Sequence, residues 1–126
     1  MAKKPSTPYR MGIDLGGTKI LAAVVDANGA IVGMAKKKTK PELGPDAVIK
    51  RIVDTALGAA ASAKTSVKSL AGVGVGAPAP VDYETGVVYS APNLPGWDEI
   101  PLGARLQAEF GVPVLVDNDV NLGTLG

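Results

Sequence analysis

At 126 residues the chain fits one domain, and 46% apolar with 20% charged residues give it both a core and a solvated surface. The 13 lysines and arginines stand against 12 aspartates and glutamates, and a net charge of +1 gives no general attraction to nucleic acid or to anionic lipid. Cysteine and histidine are both absent, which excludes disulfides, thiolate chemistry, Cys/His zinc sites and histidine general bases within these residues. Any proton acceptor here is a carboxylate, a lysine or a tyrosine.

The first residues, 1–11, read as a loose arm: they are basic, hold Pro5 and Pro8, and lead into no small-residue cleavage site. The longest apolar stretch, residues 70–81, is broken by glycine and proline and is too short to cross a bilayer. The expected location is the cytoplasm, with no membrane partner, and the lack of cysteine suits a reducing compartment.

Residues 11–15 are short and apolar, Gly16 and Gly17 signal a turn, and residues 20–25 form a second, β-branched run. Asn28-Gly29 predicts a two-residue hairpin of type I′, in which both central residues take positive φ. Residues 30–38 return as a third strand, so three consecutive antiparallel strands open the domain. The run Lys36-Lys37-Lys38-Thr39-Lys40 ends that strand and reads as a solvated strand end, since no aromatic residues interleave with it.

Pro45-Asp46 opens a helix in which Ile49, Ile52, Val53, Ala56, Leu57 and Ala60 make one apolar stripe, running to about Ala63. Residues 70–76 follow as a strand apolar on both faces, as in a sheet covered on both sides. Its Gly72, Gly74 and Gly76 point to close backbone approach. Residues 77–100 are rich in proline and glycine, with a turn at Glu84-Thr85-Gly86 between two short β pieces, 81–83 and 87–90. Leu102, Leu106 and Phe110 then repeat every four residues between Pro101 and Gly111, the signature of a helix with proline at its start and glycine past its end. Residues 112–116 form a last strand, and residues 121–126 read as the first turn of another helix. The order β-β-β-α-β-α-β indicates a mixed α/β sheet with helices on its faces.

Four segments carry candidate chemistry. In Asp14-Leu15-Gly16-Gly17-Thr18-Lys19, a two-glycine turn leaves backbone N–H groups on a concave surface where no Cβ obstructs a phosphate. Thr18 adds a hydroxyl, and Asp14 is placed to hold Mg²⁺ through water. The same residues also make an ordinary hairpin turn, and neither a Walker loop nor a Rossmann fingerprint is present. In Asn118-Asp119-Val120-Asn121, side chains at the carboxyl end of a parallel strand enter the crevice where α/β sheets bind ligands. Asp119 is the candidate to orient a hydroxyl and take its proton, and Asn118 to bridge neighbouring hydroxyls. An Asx turn capping the next helix accounts for the same pattern. The stretch Gly74-Val75-Gly76-Ala77-Pro78, continuing to Pro80-Val81-Asp82, brings backbone against either a small polar ligand or a helix. In Asn93-Leu94-Pro95-Gly96-Trp97, Asn93 is a candidate sugar contact and Trp97 reads as packing.

These four segments, in this order and at these separations, resemble the ROK family of bacterial sugar kinases and repressors, most closely its glucokinase branch, over residues 12–126. The resemblance implies the N-terminal lobe of an actin-like ATPase (ribonuclease-H-like) fold, α/β, with three antiparallel strands followed by helix-linked strands. It implies that ATP with Mg²⁺ phosphorylates a hexose, most often the 6-hydroxyl of glucose, in carbohydrate metabolism and glycolysis. By position, Asp119 is the catalytic base, Asn118, Asp119, Ala77 and Asn93 bind the sugar, and Asp14, Gly16, Gly17, Thr18 and Lys19 bind the nucleotide phosphates. The small-molecule hexose is the expected partner and nucleic acid is not; members of the family usually pair, and these residues leave open whether the full-length protein is a homodimer.

The family's zinc cluster, its further acidic and histidine sugar ligands and its adenosine loops belong to a C-terminal lobe that these residues do not contain. The chain is therefore expected to be an incomplete lobe, inactive alone and poorly soluble. Two other readings stand beside the kinase. A sugar-responsive repressor of the same family needs a helix-turn-helix ahead of the first strand, where about ten residues stand here. A non-catalytic sugar-binding module needs no base at position 119. The residues leave open which hexose is used and whether the donor is ATP or polyphosphate.

Overall fold

The structure is a computed structural model, and it describes residues 9–78, 81–82, 84–89 and 94–117. Among the described residues, seven strands and two α-helices follow in the order β1 (Arg10–Leu15), β2 (Lys19–Val25), β3 (Ile31–Lys38), α1 (Pro45–Ser62), β4 (Val73–Gly76), β5 (Val81–Asp82), β6 (Val87–Val88), α2 (Leu102–Phe110) and β7 (Val114–Asp117), with single 3₁₀ turns at Pro41–Leu43 and Val67–Ser69.

The main sheet has the order β3-β2-β1-β4-β7. β1, β2 and β3 pair antiparallel, while β4 pairs parallel with β1 and with β7. Parallel neighbours need a crossover, and α1 supplies it between β3 and β4, as α2 does ahead of β7. β5 and β6 form a separate two-stranded hairpin, in which Val81 faces Val88.

β1 starts at Arg10, within the segment read as a loose arm. Met11 is 1% exposed, and the Ala71 amide donates to the Tyr9 carbonyl at 2.8 Å, so burial and backbone pairing draw these residues into the sheet. The β2–β3 connection is also not the expected two-residue turn. The Asp26 amide donates to the Ala30 carbonyl at 2.9 Å, leaving a three-residue loop, 27–29. Only Gly29 in that loop has positive φ, at 83°. Asp26 Oδ1 accepts the amides of Asn28 and Ala30 at 2.9 and 3.0 Å, a side-chain turn that spares Asn28 the left-handed conformation.

α1 begins with proline at its first position, after Gly44 at φ 93°. It buries Val48, Ile49, Ile52, Thr55, Ala56, Ala59 and Ala60. Each fully buried valine or isoleucine contributes about 1.5–3 kcal/mol. Leu57, placed on the apolar stripe by sequence, is 52% exposed, and Ala59 takes the inward position. At Gly33 of β3, a Cβ would stand 2.6 Å from the Ala63 nitrogen and 2.7 Å from the Ala59 carbonyl oxygen, so strand and helix backbones meet there.

α2 buries Leu102, Gly103, Leu106 and Phe110 and ends at Gly111, φ 72°. A Cβ at Gly103 would touch Val116 of β7 at 3.4 Å. Arg105 of α2 reaches Asp46 of α1 at 2.7 Å, with the aspartate 87% exposed. An ion pair that open to water contributes at most about 1 kcal/mol.

Gly33, Val24, Met11, Val73 and Val114 are successive Cα partners, and so are Ile13, Val75 and Val116. Partners in a ladder share a face, so α1 and α2 both pack on this one. The sequence places helices on both faces; among the described residues the second face carries none. Met34 and Leu115 lie on it, 46% and 56% exposed.

Candidate functional site

The carboxyl ends of the parallel strands β1, β4 and β7 converge at one edge of the sheet, where open α/β sheets hold their ligands. Asp14 pairs with Gly76 and Gly76 with Asp117, so the three lie in one row on the face opposite the described helices. Two carboxylate-bearing positions thus stand about 10 Å apart, two strand spacings, with a residue lacking a side chain between them. Asp14 is exposed and Asp117 half-buried. Asp117, one position ahead of Asn118, carries no signal of its own in the sequence, and only the register shows that it shares a row with Asp14.

Beside Asp14, Gly16, Gly17 and Thr18 connect β1 to β2. The turn is closed by the Gly16 amide, which donates to the Lys19 carbonyl at 3.0 Å. A Cβ at Gly16 would stand 2.9 Å from that same carbonyl oxygen, so this position requires glycine. Gly16 and Gly17 are half-buried, while Thr18 and Lys19 are exposed. The amides of Gly17 and Thr18 have no hydrogen-bond partner among the described residues.

The residue that holds this turn is Thr39, which the sequence reading left inside a solvated lysine run. Thr39 is 0% exposed. Its hydroxyl donates to the Gly16 carbonyl at 2.7 Å and its amide donates to the Thr18 carbonyl at 2.9 Å. The available signal was a lone threonine among lysines, which alternation along an edge strand does not distinguish from a surface residue.

Ala77 follows β4, buried, with its amide donating to the Asp117 carbonyl at 2.8 Å. That bond ties β4 to β7 beyond the last paired row, so any ligand contact at Ala77 goes through its carbonyl. Leu94 and Trp97 are 1% and 2% exposed and join the core. Packing is therefore the role of Trp97, as expected from the sequence. Asn93, Asn118 and Asp119 lie outside the described residues.

Among the described residues no group of three or more acidic side chains is placed to enclose a metal. Magnesium bound through one or two carboxylates and substrate phosphates needs no such cage. Asp14, exposed and without a side-chain partner among the described residues, fits that form of binding.

The ROK family model matches residues 10–126. The chain belongs to the ROK family. A glucokinase of Halalkalibacterium halodurans is 35% identical over 121 residues, covering 96% of this chain and 36% of that protein. The xylose repressor of Caldicellulosiruptor bescii is 30% identical over 116 residues, covering 92% of this ROK chain and 29% of the repressor. The crystal structure of a ROK family glucokinase from Streptomyces griseus, in complex with glucose and AMPPNP, matches with a TM-score of 0.76 and 34% identity, over 90% of this chain and 34% of that one. The ROK chain thus spans about a third of the length of the curated relatives it matches. Its sheet is that of the actin-like ATPase (ribonuclease-H-like) fold, with three antiparallel strands followed by helix-linked parallel ones.

Proposed function

We propose that the protein carrying this chain is a cytoplasmic, ATP-dependent hexose kinase, with glucose as substrate and glucose 6-phosphate as product. The observation that carries the proposal is the glycine turn, whose Gly17 and Thr18 amides have no partner among the described residues, beside an exposed Asp14 at the carboxyl edge of β1, β4 and β7. The likeness to the glucokinases supports it. Gly16, Gly17, Thr18 and Lys19 cradle the donor phosphates, and Asp14 holds Mg²⁺ through water. When bound, Mg²⁺ neutralises charge on the transferring phosphate oxygens.

Asn118, Asn93 and the Ala77 carbonyl orient the sugar. The hexose oxygen bonds to the γ-phosphorus as the bond from that phosphorus to the ADP oxygen breaks, and the hydroxyl proton passes to the Asp119 carboxylate. The remaining sugar and adenosine contacts, and a structural zinc, belong to parts of the protein outside this chain.

The test is Asp119→Asn in the full-length protein. Turnover with glucose and ATP should fall by about 10²- to 10⁴-fold, the usual contribution of a positioned base. Glucose binding, followed by calorimetry, should stay within a few-fold of the parent. Unchanged turnover would remove Asp119 from the mechanism. The xylose repressor's 30% identity sustains a second reading, a sugar-responsive repressor. Sugar-dependent release of a DNA operator by the full-length protein, without turnover, would establish that reading instead.

A further inference from the structure

We infer that Thr39 is a positioning residue for the phosphate-binding turn and sets the affinity for the phosphoryl donor; the inference rests on the kinase reading above. Thr39 and Thr55 are the buried polar side chains among the described residues. Thr55 satisfies its hydroxyl within its own helix, on the Arg51 carbonyl at 2.7 Å. Thr39 instead sends its hydroxyl across 23 positions of sequence to the Gly16 carbonyl. Together with its amide, bound to Thr18, it occupies two of the turn's carbonyls from one side.

This arrangement has an electrostatic consequence. A peptide carbonyl and the following amide point in nearly opposite directions, because the peptide unit is planar and trans. Fixing the Gly16 carbonyl on Thr39 turns the Gly17 amide away from Thr39. The carbonyls that would repel a phosphate are thereby tied back, while the Gly17 and Thr18 amides keep no partner among the described residues. Thr39 is itself anchored on both sides. Arg51 Nε of α1 donates to the Lys38 carbonyl at 2.6 Å, and the Leu43 amide donates to the Lys40 carbonyl at 3.1 Å. The turn is thus referenced through Thr39 to the long helix on the other face of the sheet. That is the kind of support that keeps donor groups in place before a ligand arrives.

The experiment compares Thr39→Val and Thr39→Ser with the parent in the full-length protein, measuring KM for ATP and for glucose, kcat, and Tm. Valine keeps the branched shape and removes the hydroxyl; serine keeps the hydroxyl. Thr39→Val should raise KM for ATP about tenfold with KM for glucose within twofold, and Thr39→Ser should restore it. An unchanged KM for ATP, or equal rises in both KM values, would overturn the inference. Should Thr39→Val fail to fold, the ¹⁵N-labelled parent titrated with AMPPNP decides the matter. Selective shifts of the Gly17 and Thr18 amides sustain the role, and silence at both amides while AMPPNP binds ends it. A parent with no turnover on any hexose and no AMPPNP binding would overturn the kinase reading, and this inference with it. A working kinase insensitive at Thr39 would overturn this inference alone.

Discussion

The carboxylate of Asp26 accepts the amides of Asn28 and Ala30, and Thr39 accounts for the carbonyls of Gly16 and Thr18. In both cases one short polar side chain decides the path of a hairpin turn. At the first, Asp26→Ala should lower stability by about 1 kcal/mol, the usual net worth of such bonds at an exposed turn. Thermal unfolding checks it, and Asp26→Asn, which keeps an acceptor oxygen, should recover most of the loss. Asn28-Gly29 was legible as a turn but not as this one, because a dipeptide signal does not register an aspartate two positions earlier that competes for the same amides. Asp14, Gly16 and Gly17 were legible as a candidate site because a two-glycine turn lets a phosphate reach backbone amides with no Cβ in the way, although the same residues also make an ordinary hairpin turn. Thr39 was not, since its partners lie 23 and 21 positions away in sequence, at Gly16 and Thr18.

At the scale of elements, the spacing of apolar residues carried most of the information. Periodicity placed α1 and α2 to within a residue or two, with proline at the start of α1 and glycine beyond the end of α2. It did not resolve the inward face of α1, where Leu57 is exposed and Ala59 is buried. Where the helix approaches β3 at Gly33 it presents Ala59 and Ala63. Gly33→Ala should force helix and strand apart, since its Cβ would meet the Ala63 nitrogen at the end of α1 at 2.6 Å and the Ala59 carbonyl oxygen at 2.7 Å. The expected cost is about 1–3 kcal/mol, as for other overpacked contacts. Urea denaturation with an unchanged m-value would measure it. A loss below a few tenths of a kcal/mol would mean that the interface relaxes freely.

At the scale of the molecule, the described helices lie on one face of the sheet, and the other face carries Asp14, Gly76 and Asp117 in one row. The amides of the glycine turn address a ligand from one side only, and a kinase must enclose its substrates to keep water from the phosphoryl group. The isolated 126-residue chain is therefore expected to show no glucose phosphorylation in a coupled assay under conditions where the full-length protein turns over. Turnover by the isolated chain would show that this lobe suffices. The sequence by itself determined the element order, the antiparallel opening, the glycine turn and the absence of thiol and imidazole chemistry, because each follows from local sterics, spacing or composition. Only the tertiary structure decided that Thr39 belongs to the turn, that Asp14 and Asp117 share a row, and that the described helices share a face. These are relations between residues distant in the chain, fixed by strand register and by which backbones pack closely enough to exclude a side chain.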